Sequence, residues 1–188
     1  LADAQDRVAE LQEQVERLKE EVEETENQDQ VQDVRRQLEQ ERKTRQEVAD
    51  RLTKTGEIVF HAGSYENALP LLHAAQELGK DDPEMLCKLG YCFSRASSYD
   101  NAAKCYLAAA QKLEADPEKN KALLKKAYTN AGASLAELGK TTEAIEIYKK
   151  VTKLDDTFAA PYFNMGLLYR QQKGGKQDAI KALRHHIA

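Results

Sequence analysis

Four glycines, Gly56, Gly90, Gly132 and Gly166, recur at intervals of 34, 42 and 34 residues. Four alanines, Ala68, Ala102, Ala144 and Ala179, follow them at 34, 42 and 35. Such a ladder confines the chain to repeated units, each too small to bury its apolar face alone. Every one of these glycines sits in an apolar pattern of helical period, where glycine costs about 1 kcal/mol relative to alanine. The position therefore predicts a close approach of two helices, with the alanine 12 or 13 residues later as the small partner on the second helix. A period near 34 made of helix, turn and helix stacks into a solenoid with a curved surface suited to holding other proteins. The fold class that follows is all-α.

Composition agrees. The 188 residues are 32% charged and 6% aromatic, with no tryptophan and four prolines, which suits long helices. No stretch approaches the roughly 20 apolar residues of a membrane span, and Leu1–Glu10 is polar and amphipathic, not signal-like. The expectation is a cytoplasmic protein without a membrane partner. Leu1 is not an initiator methionine, which suggests a piece of a longer chain. Cys87, Cys92 and Cys105 are odd in number and form no CxxC pair, so reduced, buried thiols are expected.

Charge divides the chain near residue 52, with a net of −7 before it and +3 after it. The first part, 1–52, reads as a coiled coil. Val8, Leu11, Val15, Leu18 and Val22 step by 3, 4, 3 and 4, a heptad seam whose valine and leucine alternation favours two strands. The seam fails over Glu24–Gln30 and resumes at Val31, Val34 and Leu38, passes a polar gap at Glu41 and Arg45, and returns at Val48 and Leu52. The second frame is displaced by two residues, which marks a local change of supercoil, a joint or a reversal. With no glycine or proline in the break, one long helix of roughly 75 Å is expected in preference to a hairpin. A homodimer through this seam is the partner it suggests.

Residues 49–188 divide into units at about 49–82, 83–116, 117–158 and 159–188. In the first, Gly63 closes a helix and Ser64 is placed to cap the next. In the second, Asp82 is a cap and Pro83 takes the first helical position, where its missing N–H costs nothing. The third is preceded by eight extra residues from Pro117, expected to lengthen its first helix to about Leu138. In the fourth, Gly174 and Gly175 make the turn. Ile180, Leu183 and Ile187 then have only their own unit to pack on, so the array is expected to continue or to be covered at this edge.

This pattern resembles the tetratricopeptide repeat over residues from about 49 to 188. The glycines, the alanines and the aromatics Tyr65, Phe93, Tyr99, Tyr106, Tyr148 and Tyr169 match the small and large positions of that family, while Thr55 and Thr141 depart from it. The resemblance implies a groove, lined by the first helix of each unit, that binds an extended peptide or a partner helix. By position it places Lys54, Glu57 and His61, then Lys88, Tyr91 and Arg95, then Lys126, Asn130 and Glu137, then Phe163, Asn164 and Arg170 on that groove. Asn130 and Asn164 are equivalent and would hold ligand amides, since a carboxamide both donates and accepts. Lys88, Arg95, Lys126 and Arg170 would favour acidic groups. The lysine and asparagine clamp of chaperone-binding members is absent, because Thr53 and Glu57, or Cys87 and Tyr91, stand where it would begin.

No phosphate-binding loop, dinucleotide fingerprint, HExxH or GxSxG occurs. His61 and His73 fall on different helices, and His185 and His186 are adjacent, so no convergent metal set or cofactor is expected. The basic runs are too short for a nucleic-acid face. The chain reads as a non-enzymatic adaptor or scaffold, in layout similar to kinesin light chains, which suggests a cytoskeletal or motor-associated setting. The competing expectation is a permanent structural subunit of a large assembly.

Overall fold

The computed structural model describes residues 2–24, 28–172 and 174–187, and every regular element among them is an α-helix. The order is α1 (Ala2–Glu24), α2 (Gln28–His61), α3 (Tyr65–Glu77), α4 (Pro83–Arg95), α5 (Tyr99–Leu113), α6 (Lys121–Glu137), α7 (Thr141–Leu154), α8 (Ala159–Gln171) and α9 (Lys176–Ile187). They form two compact units, Leu1–Asp81 and Asp82–Ala188.

In the first unit α1 folds back along α2. Val8 lies in one apolar cluster with Ala49 and Leu52 of α2 and Ala74, Ala75 and Leu78 at the end of α3. In a single continuous helix Val8 and Ala49 would stand roughly 60 Å apart. The hairpin therefore corrects the expectation of one long rod. Its physical reason is that α2 and α3 together offer an apolar surface that the α1 seam can cover within the same chain. Val8, Leu11 and Val15 are buried, and Leu18, Val22, Val31, Val34, Leu38 and Val48 are half-buried. The expected break at 24–30 falls partly on residues 25–27, which lie outside the described residues.

The polar gap in the second seam has its own use. Arg45 donates from Nε to the Leu78 carbonyl and from Nη2 to the Glu77 carbonyl, both at 3.1 Å, and Gln12 of α1 donates to Glu77 at 3.3 Å. The last carbonyls of a helix lack partners within it. Here a guanidinium supplies them, so a charged residue in the seam closes the end of α3. Lys80 adds an ion pair with Asp50 at 2.8 Å.

The second unit is three helix pairs, α4 with α5, α6 with α7 and α8 with α9, each packed on the next. Asp82 accepts from the Met85 amide at 2.9 Å and Pro83 opens α4, as the sequence indicates. Ser64, in contrast, makes no bond to a backbone amide; its hydroxyl accepts from Asn67 Nδ2 at 2.8 Å. One cluster, which includes Ala103, Leu135, Tyr148, Met165, Leu168 and Ala182, runs through all three pairs. The eight extra residues do not lengthen α6 from Pro117. Residues 114–120 turn, held by Asp116, which accepts from the Lys119 amide at 3.3 Å, and by Asn120, which donates to the Leu113 carbonyl at 3.3 Å. α6 begins at Lys121 and has 17 residues against 13 in α4 and in α8.

The ladder glycines do mark close approaches, but the alanines are not their partners. A Cβ on Gly56 would meet Leu72 at 2.7 Å, on Gly90 Tyr106 at 3.0 Å, on Gly132 Tyr148 at 2.7 Å and on Gly166 Leu183 at 2.7 Å. Each partner lies one helical turn beyond the alanine. A large side chain is laid across the bare glycine backbone, and the alanine is buried beside it, because filling the gap with a side chain keeps interior packing dense.

Cys87, Cys92 and Cys105 are buried and form no disulfide among the described residues. Burial pushes the Cys87 and Cys92 thiols up to about 11, so neither is a thiolate at neutral pH.

Candidate functional site

The first helices of the three pairs, α4, α6 and α8, lie side by side in the second unit, with α6 touching both of the others. Seven residues anticipated for the groove are distributed along them. Lys88 and Tyr91 are half-buried and Arg95 is exposed on α4; Lys126 is exposed and Asn130 half-buried on α6; Asn164 is half-buried and Arg170 exposed on α8. Lys54, Glu57 and His61 belong to α2 of the first unit, where Phe60 meets His61 and Tyr65 edge to face at 5.7 and 5.2 Å.

The two asparagines each have a partner in the fold. Asn130 hydrogen-bonds the hydroxyl of Tyr106, which also pairs with Ser94, and Asn164 hydrogen-bonds the hydroxyl of Tyr148. Both tyrosines are 1% exposed, so their hydroxyls need such partners. The same rings cover Gly90 and Gly132. A tyrosine thus spans from the glycine of its own pair to the asparagine of the next. Burial pushes Tyr148 up to about 12, partly offset by the Asn164 bond and reinforced by the nearby Glu137 carboxylate. A carboxamide offers two donors and an acceptor oxygen with two lone pairs. One bond to tyrosine leaves the remaining positions for a ligand while holding the group in place.

Between α6 and α8 there is a notch of about 360 Å³ that sequence reasoning missed. Its walls are Ala133 and Ala136 on one side and Leu167 and Leu168 on the other; Tyr148 lies at the bottom, and Glu137, Asn164 and Gln171 edge it. The signal was present in part, since Ala133 and Ala136 are small residues one turn apart on the face that carries Asn130. What the one-dimensional pattern lacked was the register that sets Leu167 opposite them.

Polar groups elsewhere tie the pairs together. Tyr128 donates to Glu114, and Lys150 donates to Tyr128 at 3.2 Å and to Glu114 at 3.4 Å, with its ammonium 4.9 Å from the Tyr128 ring centroid. Lys125 pairs with Asp155 and sits 5.0 Å from the Phe158 ring centroid. The Lys125 bond, helped by Thr157, holds the Asp155 carboxyl down at about 2. Among the described residues no three histidines, cysteines or carboxylates converge on a metal position. The His185 and His186 side chains lie outside the described residues. No described helix is long and apolar enough to cross a membrane.

Residues 132–173 match the family model of the TPR repeat. That stretch carries a tetratricopeptide repeat. Solved tetratricopeptide structures share its fold. A crystal structure of MamA aligns at 22% identity over 74% of this chain and 76% of that one, with a TM-score of 0.62. A second MamA structure aligns at 18% identity over 93% of this chain and 91% of that one, with a TM-score of 0.64. YrrB, described as a TPR protein with an unusual peptide-binding site, aligns at 22% identity over 74% and 67%, with a TM-score of 0.65. No curated protein matches the sequence. The all-α tetratricopeptide architecture is thereby confirmed.

Proposed function

We propose that this tetratricopeptide chain is a non-enzymatic scaffold that captures an extended segment of another protein on the face formed by α4, α6 and α8. The observation that supports this most directly is the fixed pair Asn130 and Asn164. Their amides are oriented by buried tyrosines and still have hydrogen-bonding positions to offer to a backbone. Preorganised groups lower the ordering cost of binding, and an extended peptide can be held through its backbone with side chains chosen by pockets. The absence of recognisable catalytic motifs in the sequence agrees with a binding role. Dimerisation through the α1 seam is not part of this reading, because Val8, Leu11 and Val15 are already buried within the chain.

The test is a selection of random 12-residue peptides displayed on phage against the full chain, followed by amide chemical-shift mapping with the recovered peptides. Shifts should concentrate between Lys88 and Arg95, Lys126 and Glu137, and Phe163 and Gln171. Shifts confined to α5, α7 and α9 would move the binding surface off this face and overturn the assignment.

A further inference from the structure

The notch between α6 and α8 has a chemistry distinct from the basic residues that dominate the rest of the face. Its walls are short or branched aliphatic side chains, Ala133, Ala136, Leu167 and Leu168. At its edge Glu137 is exposed and, among the described residues, makes no ion pair. Glu137 also lies in the last turn of α6, which holds no basic residue, so its charge adds to the negative end of the helix dipole. A carboxylate there is unfavourable for the helix and favourable for an incoming cation. Arg170, the basic residue of α8 anticipated for the groove, does not line the notch. Gln171 and Asn164 place two carboxamide side chains on the lining of the same notch. We infer that this notch receives a lysine or arginine side chain of the captured partner, its methylenes between the alanines and leucines and its charged head on Glu137.

The match is one of both shape and charge. Long basic side chains are apolar along their stems and charged at their tips, so they fill a narrow aliphatic slot that ends in an acceptor. An acidic side chain would meet Glu137 and the helix end with the wrong sign, and a purely apolar one would leave the carboxylate facing a desolvated edge. Lys88, Arg95 and Lys126 lie toward α4 and α6, on the other side of Asn130. The partner segment therefore carries a basic residue where it passes the notch between α6 and α8.

This inference rests on the peptide-capture reading, and the experiment separates the two. Peptides recovered in the selection should carry lysine or arginine at one recurring position. For the tightest of them, replacing that residue by norleucine should weaken binding about fivefold, the scale of a solvent-exposed ion pair. Glu137→Gln should weaken the parent peptide to the same extent, and the norleucine substitution should then have no further effect on Glu137→Gln. Recovered peptides without a basic position, or a norleucine effect of equal size on both proteins, overturn the notch assignment while leaving peptide capture standing. Recovery of no peptide overturns capture on this face, and the notch assignment with it.

Discussion

The first unit answers the glycine period with a leucine, whereas the second uses tyrosine at two of its three ladder glycines and a leucine, Leu183, only at Gly166. In Asp82–Ala188, Gly90 and Gly132 are covered by tyrosines whose hydroxyls continue outward to Ser94, Asn130 and Asn164. In Leu1–Asp81, Gly56 is covered by Leu72, which fills the same gap and ends there. Leucine supplies packing alone, whereas tyrosine supplies packing and a directed polar contact. The first unit gains its polar order elsewhere, from Arg45 and Gln12 on the end of α3 and from Lys80 on Asp50. A small residue in a repeat thus specifies how near two helices come. The residue laid over it decides whether that contact also holds a polar side chain of the next pair.

The largest expected effect tests the first unit. Leu11→Ala empties a fully buried site in the hairpin and should cost about 3 kcal/mol in urea unfolding. Light scattering on the parent should give a monomer; a stable dimer would mean that the seam is used between chains as well. Next, Gly132→Ala and Gly56→Ala set the two kinds of covering residue against each other. Each gains about 1 kcal/mol of helix propensity. At Gly132 the new methyl meets the rigid Tyr148 ring at 2.7 Å, and overpacking should outweigh that gain by about 2 kcal/mol. At Gly56 it meets the end of the flexible Leu72 side chain, so the net change should be within about 1 kcal/mol of zero. Equal losses at the two sites would remove the distinction between tyrosine and leucine.

A smaller effect of opposite sign is expected at the turn between α4 and α5. Ser97 holds φ at 58°, where the equivalent turn between α6 and α7 has Gly139 at φ 72°. Ser97→Gly should raise stability by about 1 kcal/mol, seen as a higher urea midpoint. The smallest effect concerns pH. Because the Lys125 bond lowers the Asp155 carboxyl to about 2, its contribution is present above the ordinary aspartate value and is lost as pH falls through 2. Asp155→Asn should flatten the acid limb of the stability profile between about pH 4 and 2. A limb of unchanged slope would show that the loop contact does not persist in solution.

Much of the fold was legible because it depends on local chemistry. Asp82 and Pro83 announce the start of α4 through a side-chain cap and a missing amide, both decided within four residues of sequence. The glycine period announced the helix pairs. Three features were misread, two of them because what covers or pairs with them is distant in sequence. The α1 seam was assigned to a second chain because periodicity shows that a face is apolar without showing what covers it. Arg45 looked like a seam defect because its partners, the carbonyls of Glu77 and Leu78, are over thirty residues away and contribute no side chain to the pattern. The extra residues before α6 looked helical because Asp116 and Pro117 suit a helix start as well as they suit the turn they form. Of the residues anticipated for the groove, the helix that carries each was readable; the engagement of Asn130 by Tyr106 and of Asn164 by Tyr148 was not.

The sequence by itself determined the repeat, its helices and the face on which Asn130 and Asn164 stand, because helical period and small-residue spacing are properties of the chain taken in order. The tertiary structure alone decided three things: that α1 turns back on α2, that tyrosine and leucine rather than alanine fill the glycine gaps, and that Ala133, Ala136, Leu167 and Glu137 converge on one notch. Each depends on which turn of one helix meets which turn of another. That register is set by the summed packing of whole faces, a quantity that no local stretch of residues carries.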